Sequence, residues 1–181
     1  GTGYVDLLLI HWPSPNNEVP MADYLTALKE VKAEGKAHHI GISNFTCEQV
    51  DEAISILGKG EILTNQIEVH PFLQNRKLVD HCEHQNIQVT AFMPLAVGKV
   101  MEDPTLQKIA DTHGVTPAQI TLAWVKQRNM TTIPSSTKAR NIQSNISAFD
   151  LVLSDSEMAD IAMLDRQERI ANPDFAPAWD E

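Results

Sequence analysis

Five short apolar runs alternate with helix-spaced segments along this chain, and that alternation restricts the fold more than any other feature. Val5 to Ile10, Ile40 to Ile42, Ile62 to Ile67, Ile87 to Phe92 and Met130 to Ile133 read as short buried strands. Between them, Met21, Leu25, Leu28 and Val31 recur at helical spacing, as do Val50, Ala53, Ile54 and Leu57, then Leu78, Val79 and Cys82. Gly35 stands where a helix stop belongs, and Thr46 with Gln49 has the form of a capping box. A longer helical region runs from Pro104 to Arg128, interrupted at Gly114 and restarted by Thr116-Pro117, with proline at the first helical position. Further helices are expected from Ala139 to Asn145 and, opened by Ser154 and Glu157, through Met158, Ile161 and Leu164. The polar tail, 166–181, contains Pro173 and Pro177 and reads as a loop.

Strands alternating with helices pair in parallel, either in a doubly wound sheet or in an eightfold barrel. A doubly wound nucleotide fold would carry Gly-x-Gly-x-x-Gly after its first strand. Here Gly1 and Gly3 precede the strand and Asp6 ends the pattern. The expected fold is therefore α/β, a (β/α)8 TIM barrel with only about the last five βα units present, as a single partial domain over 1–181. The start at Gly1, with an apolar strand by Val5, reads as a barrel short of its N-terminal units.

Composition removes other classes. At 43% hydrophobic the chain is not generally disordered, and no apolar run approaches the ~20 residues of a membrane span. A net charge of −10 repels phosphate backbones, so neither nucleic acid nor membrane is an expected partner. Two lone thiols, Cys47 and Cys82, and no secretory leader pattern predict a cytoplasmic protein.

Polar or aromatic residues gather at the C-terminal end of each strand. They are His11 and Trp12, Ser43 and Asn44, Gln66 with Glu68 and His70 beyond, Phe92, and Ser135 to Lys138. In a barrel those ends form the mouth where chemistry sits. Ser135, Ser136, Thr137, Lys138 and Arg140 lie at a helix start, where backbone amides, hydroxyls and two cations suit a phosphate. Other clusters read as structural. Cys82 faces the core with Leu78 and Val79, so His81 and His84 make a solvated face and not a zinc site; no metal is expected. His113 reads as a helix-end cap and Trp124 as core.

Four segments, taken in order and at their spacing, resemble the aldo-keto reductase family: Val5-Asp6-Leu7-Leu8-Leu9-Ile10-His11-Trp12-Pro13, Gly41-Ile42-Ser43-Asn44-Phe45, Asn65-Gln66-Ile67-Glu68 and Ile133-Pro134-Ser135-Ser136-Thr137-Lys138. The resemblance implies a barrel that binds NADPH (NADP+) and reduces a small aldehyde or ketone. It implies that His11 orients the substrate carbonyl and that Trp12 forms an apolar substrate wall. It implies that Ser43, Asn44 and Gln66 hold the nicotinamide carboxamide and that Phe92 stacks on the ring. Ser135, Ser136, Thr137, Lys138, Arg140 and Asn145 fall in the segment that binds the adenosine end. The short tail and the Ser-Ser-Thr-Lys form are similar to bacterial members acting on 2,5-diketo-D-gluconate and methylglyoxal, and a monomer is expected. The chain departs from the pattern in having Ser135 where much of the family has lysine and Asn141 where it has arginine. Tyr4 and Tyr24 lie outside the family's tyrosine motif, so His11 alone matches its catalytic set. Two alternatives remain. One is a truncated, non-catalytic remnant that binds a nucleotide or partner. The other is a phosphate-binding aldolase or isomerase barrel, which explains only Ser136 to Arg140.

Overall fold

The structure, a computed structural model, describes residues 1–180. The strands are β1 (Val5–Ile10), β2 (Ala37–Ser43), β3 (Ile62–Glu68), β4 (Gln88–Phe92) and β5 (Thr131–Thr132), in one sheet with the spatial order β1-β2-β3-β4-β5. That order never reverses. A doubly wound sheet reverses at its switch point, whereas a (β/α)8 barrel adds each strand beside the last. The helices between and after the strands are α1 (Met21–Ala33), α2 (Cys47–Leu57), α3 (Arg76–His84), α4 (Pro104–His113), α5 (Pro117–Gln127), α6 (Ala139–Ser147) and α7 (Asp155–Ala162).

Local chemistry sets the helix boundaries. Thr46 and Gln49, Thr116 and Gln119, and Ser154 and Glu157 each form a reciprocal capping box at the start of α2, α5 and α7. Gly114 ends α4 in the left-handed conformation at φ 65°, which splits the long helical region in two. His113, in the last turn of α4, places its Nε2 2.8 Å from Glu157 Oε1 in the first turn of α7. The tail from Arg166 to Asp180 has no helix or strand.

Two strands differ from expectation. β1 is not buried: Val5 is 46% and Leu7 38% exposed, because β1 lies at the sheet edge and pairs only with β2. β5 is two residues long. Ile133 still donates its N–H to Ala91 O at 3.2 Å, but Pro134 has no N–H and ends the pairing.

The chain divides into two compact units. One holds residues up to Ile67, then Arg76–Val89 and the tail from Asn172. Its core contains Leu25, Ile40, Ile42, Phe45, Leu57 and Ile67, all fully buried. Cys82 joins it on the apolar face of α3, while His81 pairs with Asp51 at 2.9 Å. The other unit holds Glu68–Asn75 and Thr90–Ala171, with a core of Phe72, Leu73, Leu106, Ile120, Leu122 and Trp124. Each such side chain contributes roughly 1.5–3 kcal/mol of transfer free energy.

Gly41 in β2 is required by close approach. A Cβ there would stand 2.6 Å from Leu9 Cδ2 and 2.8 Å from Thr64 O, and the latter is backbone that cannot move alone. Gly41→Ala is expected to destabilise the fold by about 1–3 kcal/mol, measured by urea denaturation.

Candidate active site

In the first unit, parallel pairing carries the ends of β1, β2 and β3 to one edge, and their polar residues meet there. Ser43 Oγ donates to Gln66 O at 2.7 Å, and Asn44 N–H donates to the same carbonyl at 3.0 Å. Asn44 Nδ2 donates to His11 O at 3.0 Å and to Ser43 Oγ at 3.1 Å. Asn44 has φ 65°, a conformation that asparagine tolerates better than most residues, and this turns its side chain back across the strand ends. These bonds consume both Nδ2 protons of Asn44 and the proton of Ser43. Asn44 Oδ1 is left as an acceptor. The Gln66 amide, half-buried, makes no hydrogen bond among the described residues. One free acceptor beside one free amide is the complement of a primary carboxamide. Asn65, by contrast, is structural: its Nδ2 donates to Phe45 O at 3.0 Å.

His11 follows β1 and is exposed, and its ring has no hydrogen-bond partner among the described residues. Trp12 is half-buried. It packs edge-on against two aromatics of the tail, Phe175 at 5.5 Å and Trp179 at 6.0 Å between ring centroids. The tail is pinned there by Asp180, whose carboxylate accepts the Cys47 N–H at 2.9 Å on the first turn of α2. Sequence reading passed over Phe175, Trp179 and Asp180. Aromatic residues in an otherwise polar tail were the one available signal. The same neighbourhood suppresses the Cys47 thiol: burial first, then Asp180, pushes its pKa up to about 11.

The second unit holds a cavity of about 580 Å³ beyond the ends of β4 and β5. Met93, Pro94, Leu95, Val97 and Met101 form its apolar wall, and Ser135, Ser136, Asn141, Ser144 and Asn145 supply polar groups. Asn145 is only 9% exposed, yet its amide makes no hydrogen bond among the described residues. Its amide opens onto the cavity and has donor and acceptor atoms available there. Lys138 is the residue before α6; its N–H is held by Ser136 Oγ at 3.2 Å. Thr137, Lys138 and Arg140 are exposed and do not line the cavity, and neither does Phe92, which is half-buried at the end of β4. The cavity wall therefore has no charged side chain, and both cations stand outside it. The wall after β4 was not legible in the sequence. Met93, Ala96 and Val97 all take positive φ (47°, 47° and 55°), a backbone choice that their side chains do not announce.

Comparison with known proteins gives concordant results. Residues 1–166 match the model of the Aldo/keto reductase family. The chain is 51% identical to the methylglyoxal reductase DkgB of Yersinia pestis over 180 residues, covering 99% of this chain and 67% of that protein. Among solved structures it resembles a putative 2,5-diketo-D-gluconic acid reductase B, with TM-score 0.94 and 40% identity, over 99% of this chain and 64% of that one. It also resembles the Gox0644 D53A mutant in complex with NADPH, with TM-score 0.88 and 34% identity, over 95% and 63%. The chain thus spans about two thirds of the length of the proteins it matches.

Asn44 provides a direct check on this geometry. Asn44→Ala removes two hydrogen bonds and places a Cβ residue without local compensation in the left-handed region, at an expected cost of about 2–3 kcal/mol. Asn44→Gly should recover about 1 kcal/mol of that, because only the backbone penalty is relieved. Paired urea titrations of the two variants measure the difference.

Proposed function

The chain belongs to the aldo/keto reductase family, and from that premise we propose that it carries the coenzyme-holding and carbonyl-orienting part of an NADPH-dependent reductase of small carbonyl compounds. The observation that carries this reading is Asn145, whose unpaired amide opens onto a cavity large enough for a nucleoside. Asn145, with Ser135, Ser136 and Ser144, fits the adenosine end of the coenzyme. The free acceptor of Asn44 and the free amide of Gln66 fit its carboxamide. Phe92 offers a ring face for the nicotinamide. Lys138 and Arg140, outside the cavity at the start of α6, suit the phosphate that distinguishes NADPH from NADH.

The coenzyme, when bound, supplies the hydride. The residues of this chain prepare the acceptor. A His11 ring N–H donates to the carbonyl oxygen, polarises it and stabilises the negative charge that grows there. Trp12, backed by Phe175 and Trp179, provides an apolar wall that keeps water from the same oxygen. Asn44 and Gln66 fix the carboxamide and so decide which ring face is presented. The general-acid role is not assigned to either tyrosine of the chain. Tyr4 precedes β1, at the end of the strand opposite His11, and burial in α1 raises the pKa of Tyr24.

The substrate class is a small dicarbonyl such as methylglyoxal or 2,5-diketo-D-gluconate, a reading supported by the names of the relatives above. No helix among the described residues is long and apolar enough to cross a membrane. The free thiols Cys47 and Cys82 support a cytoplasmic location.

Coenzyme binding tests this reading without requiring turnover. NADPH is expected to gain fluorescence and bind with a measurable Kd. Asn145→Ala should weaken binding about 5–10-fold, the value of one or two hydrogen bonds. Lys138→Ala with Arg140→Ala should weaken NADPH more than NADH. Absence of any NADPH binding would leave the non-catalytic alternative standing.

A further inference from the structure

Glu68, the last residue of β3, is 1% exposed and takes no part in the roles assigned above. Its carboxylate accepts from His70 Nε2 at 2.9 Å, from the Ile170 N–H at 2.8 Å and from the Ala171 N–H at 2.7 Å. Two consecutive backbone amides, a hundred residues away in the chain, thus converge on one buried anion. A buried carboxylate is costly unless its oxygens are filled, and charge-assisted bonds of this kind are the strong ones. Burial pushes the pKa of Glu68 up, but the His70 and tail hydrogen bonds outweigh it and hold the group below its ordinary value.

The same stretch of tail is tied to the turn after β3 at several further points. Phe72 O accepts the N–H groups of Arg166 and Glu168, at 3.2 and 2.9 Å, and the Arg166 guanidinium lies 3.9 Å from the Phe72 ring centroid. Asn75 bridges both sides: its Nδ2 donates to Glu68 O at 2.6 Å and its Oδ1 accepts from Arg169 at 2.9 Å. Lys99, in the loop after β4, pairs with Glu168. The charged and titratable groups around the anchor are therefore His70 on the turn, Asp165, Arg166, Glu168 and Arg169 on the tail, and Lys99 on the loop. Only Glu68 is both buried and bonded to the tail backbone.

We propose that Glu68 is a pH-sensitive anchor: its carboxylate fixes residues 166–171 of the tail against the turn after β3 and releases them when it is protonated. The anchoring does not rest on the carbonyl-reductase reading. The sign follows from the lowered pKa. The contribution of Glu68 is fully present above the ordinary glutamate value of about 4.3 and is lost as pH falls through the lower folded value. Once protonated, the carboxyl presents a donor to amides that are themselves donors.

The test follows the donors themselves. Amide proton shifts and hydrogen exchange at Ile170 and Ala171 are measured in the wild-type chain, in Glu68→Gln and in Ala171→Pro. The proline variant deletes one donor from the tail and leaves the buried carboxylate untouched. Both variants are expected to lose at least tenfold of the exchange protection at Ile170. Emission from Trp124 and the Kd for NADPH should stay within twofold. In the wild type, the two amide shifts should titrate together below pH ~4.3, a profile absent from Glu68→Gln. Unchanged Ile170 protection in Ala171→Pro, or amide shifts that do not titrate in the wild type, would overturn the proposal even if Glu68→Gln fails to fold. NADPH failing to bind the wild type, with these tail signals as expected, would remove the coenzyme reading and leave the anchor intact.

Discussion

Parallel pairing is the constraint on which the rest of the structure depends. A parallel strand cannot return through a tight turn, so each must be followed by a crossover that brings the chain back to the starting edge. Within each unit the strand ends consequently fall at one edge, whatever the residues there are. β1, β2 and β3 deliver His11, Asn44 and Gln66 to neighbouring positions, and β4 and β5 open onto the cavity lined by Ser135 and Asn145. α2 and α5 begin at capping boxes and α2 and α4 end at glycine, so part of the return is encoded locally even though the pairing is not.

Hydrogen-bond satisfaction separates scaffold from site. Ser43 and the Nδ2 of Asn44 are committed to Gln66 O and His11 O, which makes them the frame that holds the strand ends in register. Asn65 is committed to Phe45 O in the same way. The Gln66 amide, the His11 ring and the Asn145 amide are not committed among the described residues. A residue type alone would have grouped all six together. The distinction arises from which lone pairs and protons the protein has already used.

Electrostatics is arranged at two levels. The chain as a whole carries −10, the cavity wall has no charged side chain, and Lys138 and Arg140 stand exposed at the start of α6. Negative charge is placed where backbone amides can use it. Asp180 takes the Cys47 N–H at the start of α2, and Glu68 takes two amides of the tail. In both cases a carboxylate orders a segment that has no helix or strand of its own.

The order of elements, the capping residues and the polar character of each strand end were legible in the sequence, because each depends on residues within a few positions of one another. Alternation left two parallel folds, the lack of Gly-x-Gly-x-x-Gly after the first strand decided for the barrel, and the family followed from four motifs at fixed intervals. The sequence also placed Trp124 and Cys82 in the core through helical spacing alone. What it did not contain was the partner of any group across long separations. The exposure of β1 depends on which strand lies beside it. The cavity wall depends on positive φ at Met93, Ala96 and Val97, which no side chain there signals. The tail read as a loop, and it is one, but its anchorage to Glu68 and its packing on Trp12 join residues about a hundred or more positions apart. Local spacing carries propensity and pattern; only the folded chain decides which buried donor meets which buried acceptor, because that pairing is settled by desolvation at the moment the surfaces close.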